Sequence, residues 1–145
     1  MNDDPTLKLF IVLSRAYKSV MEHSQSDASR HGLSLSEFCV LELLYSKGPF
    51  SLKEIGEKIL LANASITYVI DKLEKKGYLL RQPDHKDRRV VFASLTAEGH
   101  RLMQQALPEQ FIALQKAMDG LTNEEKRNLI QLLKKLGIEA KQKLK

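Results

Sequence analysis

The chain has 145 residues, 43% of them hydrophobic, and a net charge of +5. That length suits one domain, or one small domain with an oligomerisation element, rather than two independent cores. A single cysteine, Cys39, excludes an intramolecular disulfide and a thiolate-rich metal site, and the longest apolar runs fall well short of the roughly 20 residues that cross a bilayer.

The acidic start Met-Asn-Asp-Asp-Pro lacks the basic head of a secretory signal, so the expected compartment is the cytoplasm. Asp4-Pro5 reads as an N-cap followed by a proline in the first helical position. Leu7, Phe10, Ile11, Tyr17, Val20 and Met21, with Ser14 as a small gap, form one helical stripe running to about His31, where Gly32 ends it. Ser34 to Glu37 is a capping box for a second helix that stops at Lys47-Gly48-Pro49. Ser51 to Glu54 is another, opening a helix of about two turns. After a turn at Leu61 to Asn63, Ala64 to Lys76 returns to helical spacing through Ile66, Val69, Ile70 and Leu73, and Gly77 closes it.

The period then changes to two. Tyr78 to Arg81 and Arg89 to Leu95 read as strands flanking a turn-rich tract, Gln82 to Arg88, which together make a hairpin. Thr96 to Gly99 starts a long helix with a kink or local break expected at Pro108. Thr122 to Glu125 is a third capping box, and Leu129, Ile130, Leu132, Leu133 and Leu136 give the last helix a broad apolar face. Lys141 to Lys145 is expected to fray.

Two short helices around a tight turn, followed by a basic hairpin, describe a winged helix-turn-helix, in which the second helix enters the major groove and the wing approaches the minor groove. Asn63, Ser65, Thr67, Tyr68 and Lys72 are the residues on that helix able to reach phosphates or base edges. On the wing, Asp87 can aim Arg89 into a narrow minor groove while Lys86 and Arg88 meet phosphate. Residues 72 to 92 hold seven basic side chains against three acids, an electrostatic footprint for a polyanion that a merely solvated surface would also produce. An exposed polar helix face and a surface ion pair are the plain structural readings of the same residues.

Three segments in register, Leu61 to Tyr78, Asp84 to Arg89 and Ser94 to Gly99, closely resemble the multiple-antibiotic-resistance regulator (MarR) family over essentially the whole chain. The resemblance puts the family's D-x-R wing signature on Asp87 and Arg89 and its recognition helix on about Asn63 to Lys76. It implies a mainly α fold with a small β-wing: a winged-helix DNA-binding lobe at about 33–99 and a helical dimerisation region at about 5–31 and 100–145. It further implies a homodimer whose first and last helices interlock, acting on double-stranded DNA. The apolar stripes at 7–21 and 129–136 support this independently, since they exceed what one small lobe can cover; packing within one chain is the alternative. Symmetry then places the recognition helices about 34 Å apart on an inverted-repeat operator.

The resemblance also implies release by a small aromatic or phenolic effector, with candidate lining Phe10, Ser14, Tyr17, Phe38, Cys39 and Glu42, residues equally suited to plain core. Leu7 to Tyr17 and Ile59 to Glu74 are similar to the quinone-responsive, MhqR-type members. Cys39, mid-helix among Phe38, Val40 and Leu41, reads as a small hydrophobe rather than a redox sensor, and the first helix carries no cysteine of the kind the oxidation-sensing members place there. Enzymatic chemistry has no support. His23, His31, His85 and His100 are scattered and no nucleophile, metal or phosphate-loop motif is present, so no cofactor and no metal are expected. A winged helix serving as a protein-interaction module is the second reading.

Overall fold

The computed structural model describes residues 3–59 and 65–144. The elements are α1 (Thr6–Arg30), α2 (Leu35–Lys47), β1 (Phe50–Ser51), α3 (Leu52–Lys58), α4 (Ile66–Lys75), β2 (Leu79–Pro83), β3 (Val91–Leu95), α5 (Ala97–Ala117) and α6 (Asn123–Gln142). The three strands form an antiparallel sheet in the order β1-β3-β2.

Local chemistry sets most boundaries. At Ser34, Ser51 and Thr122 the hydroxyl accepts the N–H three residues on, while Glu37, Glu54 and Glu125 reach back to the cap N–H, so each of three helices opens on a reciprocal capping box. At the start of α1, Pro5 occupies the cap itself rather than the first helical position, and Asp4 Oδ1 accepts the Thr6 N–H at 2.9 Å. α1 and α4 end alike. Gly32 and Gly77 take φ +73° and +84°, letting the Leu33 N–H reach Ala28 O and the Tyr78 N–H reach Leu73 O, both at 3.1 Å.

The core lies between α2, α4, the sheet and the adjoining parts of α1 and α5. Val40, Leu41, Ile55, Ile70, Leu73, Leu79, Ala93, Met103 and Ala106 are all fully buried there. α5 is seated on the sheet by a close approach at Gly99: a Cβ there would lie 2.1 Å from Tyr78 O. Thr96 fastens the same corner, its N–H donating to Tyr78 O and its hydroxyl to Gly77 O.

α5 runs unbroken through Pro108, against the expected break. Proline removes one N–H, whose lost acceptor would be Gln104 O; both residues are exposed, so water can satisfy that carbonyl. β1, only two residues long, was not among the expected strands; it exists because Phe50 and Ser51 pair with Ala93 and Phe92 of β3.

The N-terminal half of α1 and all of α6 bury nothing. Leu7, Phe10, Val12 and Tyr17 are more than half exposed, and so are Leu132 and Ile138 on α6. Only the C-terminal half of α1 is buried, through Ser24, Asp27 and Ala28. It lies against α5, where buried Gln110 donates to the Ser24 hydroxyl.

Candidate nucleic-acid interface

α4 separates its residues as its apolar spacing requires. Val69, Ile70 and Leu73 are buried, whereas Ser65, Thr67, Tyr68 and Lys72 are exposed on the outer side. Ser65 is the N-cap: its Oγ accepts the Tyr68 N–H at 3.4 Å, which leaves the hydroxyl proton free to donate. The Lys72 ammonium stands 5.2 Å from the Tyr68 ring centroid, close enough for a cation–π contact that steadies both. Asn63 lies outside the described residues.

The wing tip closes through Asp84 N–H to Val90 O at 2.8 Å and Val90 N–H to Asp87 O at 3.0 Å. Within it, Asp87 accepts three hydrogen bonds from Arg89: the backbone N–H and Nε on Oδ1, both 3.1 Å, and Nη2 on Oδ2 at 3.2 Å. The Arg89 side-chain bonds first, and then its backbone N–H, hold the Asp87 carboxyl below its usual range. The Arg89 side chain nevertheless remains 91% exposed. An arginine gripped at its inner edge and open to solvent elsewhere is pre-aimed rather than sequestered. Lys86 and Arg88 are exposed beside it.

Charge counting over-credits this region. Of its cations, Arg81 is engaged by Asp71 Oδ1 at 2.7 Å and Glu74 Oε1 at 2.8 Å, and Lys76 by Glu37 at 2.9 Å. Both are committed within the fold. The exposed positive surface is carried by Lys72, Lys75, Lys86 and Arg88, with Arg89 exposed but paired to Asp87. The Arg81 cluster escaped sequence reasoning because its acids lie seven and ten positions upstream, across a turn. An i,i+3 pair of acids on α4 facing a strand arginine was the available signal.

The candidate effector residues differ in exposure within one chain. Phe10, Ser14 and Tyr17 are exposed on the unburied half of α1, whereas Phe38 is core and Cys39 and Glu42 are half-buried on α2. Glu42 accepts the Ser46 hydroxyl at 2.9 Å. Burial first, and then the Glu42 carboxylate, push the Cys39 thiol above its ordinary pKa, the opposite of what a reactive thiolate needs. A cleft of about 260 Å³ lies elsewhere, between α1 and α5, and is lined by His23, Asp27, Arg30 and Glu109 among others. Among the described residues no group of three His, Cys, Asp or Glu is placed to hold a metal ion, and no helix is long and apolar enough to cross a membrane.

Comparison with known proteins agrees with this architecture. The MarR family model matches residues 33–91, from the start of the second helix unit to the wing. The HTH-type transcriptional regulator MhqR of Bacillus subtilis is 47% identical over 139 residues, 96% of either chain. Among solved structures, Bordetella bronchiseptica BpsR, whose DNA binding is regulated by 6-hydroxynicotinic acid, superposes with TM-score 0.80 at 27% identity, covering 90% of this chain and 98% of its own. A cysteine-to-serine variant of Escherichia coli MarR, in complex with operator DNA, shares the fold at TM-score 0.81 and 23% identity, over 90% and 94% of the two chains. These relatives are transcriptional regulators and not enzymes; the chain belongs to the MarR family of winged-helix transcriptional regulators.

Proposed function

We propose that the protein is a homodimeric, cytoplasmic repressor of an inverted-repeat operator, released when a small aromatic or quinone-like compound binds. In this reading residues 33–99 are the DNA-binding lobe and residues 5–31 and 100–145 the dimerisation region. Ser65, Thr67, Tyr68 and Lys72, with Asn63, read or position the major groove. Arg89, oriented by Asp87, enters the minor groove, while Lys86 and Arg88 meet phosphate.

The observation that carries the reading is the Asp87–Arg89 clamp: three hydrogen bonds fix an arginine that stays almost fully exposed. A guanidinium restrained in that manner suits insertion into a narrow, negatively charged groove. The unburied apolar residues of α1 and α6 support the dimer, because exposed leucine and phenylalanine on this scale mark an interface. For the effector, the support is the 47% identity to MhqR and the regulation of BpsR by a hydroxylated aromatic acid. The lining we propose is Phe38, Cys39 and Glu42 from α2 with Phe10, Ser14 and Tyr17 from α1, the last three to be enclosed by the second copy.

Fluorescence anisotropy of the protein against its own upstream DNA and a scrambled control, over a salt series, tests this directly. The expected result is selective binding of one dimer per site, with release on titrating hydroquinone or salicylate. Weak and equal binding to both DNAs would instead favour a protein-interaction module.

A further inference from the structure

We infer that Arg81 is a positioning residue that fixes the wing relative to the recognition helix; this rests on the DNA-binding reading above. β2 is an edge strand, paired with β3 on one side only. Its other edge lies beside α4, and there Arg81 makes the connection. The guanidinium contacts Asp71 Oδ1 through Nη1 at 2.7 Å and Glu74 Oε1 through Nη2 at 2.8 Å and Nε at 3.2 Å. The Arg81 backbone N–H, directed away from the sheet, donates to Glu74 Oε2 at 3.4 Å. All three guanidinium nitrogens are therefore engaged, and Glu74 occupies the strand edge that another backbone would otherwise fill.

The connection joins the two elements that touch DNA. Asp71 and Glu74 lie on the same α4 turns as Tyr68 and Lys72, and Arg81 lies two residues before the strand's last residue, Pro83, where the wing tip begins. The Gly77 turn and the shared core of Ile70, Leu73 and Leu79 hold the start of β2 to α4; the fork adds a polar tie further along the strand, toward the wing tip, and so restrains how the hairpin is angled against the helix. Its geometry is specific to arginine. A planar fork can serve two carboxylates at once, whereas a lysine ammonium on a flexible stem cannot hold both in fixed directions. Two carboxylates on a helix facing DNA are also unfavourable unless their charge is turned aside, which the same pairing achieves.

The test is a double-mutant cycle on operator DNA between Arg81→Lys and Arg89→Ala, with thermal melts as a folding control. Arg81→Lys preserves the charge. If Arg81 served as a phosphate contact or only masked the acids, the variant would bind like wild type. The expected result is a loss of about 10-fold for either single variant and no more than about 3-fold further loss on combining them, because a misplaced wing no longer delivers Arg89.

Wild-type affinity in Arg81→Lys, or losses that multiply in the double variant, would overturn the inference. Hydrogen exchange in the free protein gives a readout that needs no DNA. Amides of residues 79–90 should exchange faster in Arg81→Lys while those of α5 do not change, and equal exchange at 79–90 in both proteins would overturn the inference as well. If Arg89→Ala had no effect in the wild-type background, the wing's role on DNA would fail and the exchange comparison would still decide whether Arg81 holds β2 to α4. Asp71→Asn, which removes one partner of the fork, serves as the second variant should Arg81→Lys fold poorly.

Discussion

The winged-helix lobe and the helical arm are built from similar fractions of leucine and isoleucine, yet they treat them oppositely. In the lobe, α2 and α4 place Leu41, Ile70 and Leu73 at zero exposure against the sheet. In the arm, Leu132 is 64% exposed and no residue of α6 is buried. A lone amphipathic helix in water has little stability beyond its own capping and propensity. The lobe's core is completed within the chain, with Ala28 of α1 and Met103 and Ala106 of α5 closing it, whereas α6 leaves its apolar face open. The contrast separates helices whose apolar faces are covered within the chain from one whose apolar face is not.

The largest effect is expected from breaking the arm. Leu132→Glu combined with Leu136→Glu puts two charges on the exposed apolar face of α6 and, on the proposed dimer, should give monomers in sedimentation. Because two half-sites are then no longer bound as one unit, operator affinity should fall by about 100-fold or more. The lobe should remain folded by near-ultraviolet dichroism. Variants that stay dimeric would show that these leucines do not form the interface.

The complementary change lies in the lobe. Leu41→Ala empties a fully buried position and should cost about 2–5 kcal/mol in denaturant unfolding, without changing the oligomeric state of the protein that remains folded. Loss of the dimer at native conditions would mean that the two regions are energetically one.

Much of the fold was legible in the sequence, and for a physical reason. Capping boxes at Ser34, Ser51 and Thr122 are encoded within four consecutive residues, and the hairpin is announced by a change of period at Tyr78. What stayed hidden depends on separated partners. β1 is a strand only because β3 offers it an edge. Arg81 and Lys76 look like DNA-facing cations until Asp71, Glu74 and Glu37 are folded against them. Of the kink or local break expected at Pro108, the break does not occur, and the sequence does not reveal that Gln104 is exposed. The Asp87–Arg89 contact was readable, being two residues apart, although its role on DNA is a proposal that geometry supports.

A third test concerns the buried tie between the helices of the lobe. Glu37, a side chain 3% exposed, receives Lys76 Nζ at 2.9 Å as well as the Ser34 N–H at 2.8 Å. Burial pushes its pKa up, but the Ser34 N–H and the Lys76 ammonium outweigh that and hold it below the ordinary glutamate value. A folded-state pKa below the unfolded one gives stability that is present above the unfolded value and lost as pH falls through the folded value. Glu37→Gln should therefore destabilise the lobe by about 1.5–3 kcal/mol at neutral pH, with the gap to wild type narrowing as the pH falls below the ordinary glutamate value of about 4.5. A gap that stays constant across that range would assign the loss to shape rather than charge.

The smallest effect is expected at Cys39, half-buried on α2. Its thiol is half-buried, flanked by the core residues Phe38 and Val40, and its pKa is raised by burial and by Glu42. Thiolate is the reactive form, so at neutral pH iodoacetamide should label Cys39 more slowly than a small free thiol. Cys39→Ala keeps a small apolar group and should change stability by no more than about 1 kcal/mol. If release from DNA by a quinone depends on reversible binding, the variant should respond at the same concentrations as wild type. A variant that still binds the operator but no longer releases it on adding benzoquinone would make the thiol the receptor, despite its protonated resting state. Comparing benzoquinone with hydroquinone in both proteins separates the chemistries, since only the oxidised form can alkylate sulfur directly: loss of the benzoquinone response alone would indicate addition to Cys39, and retention of both responses would place recognition in the surrounding pocket.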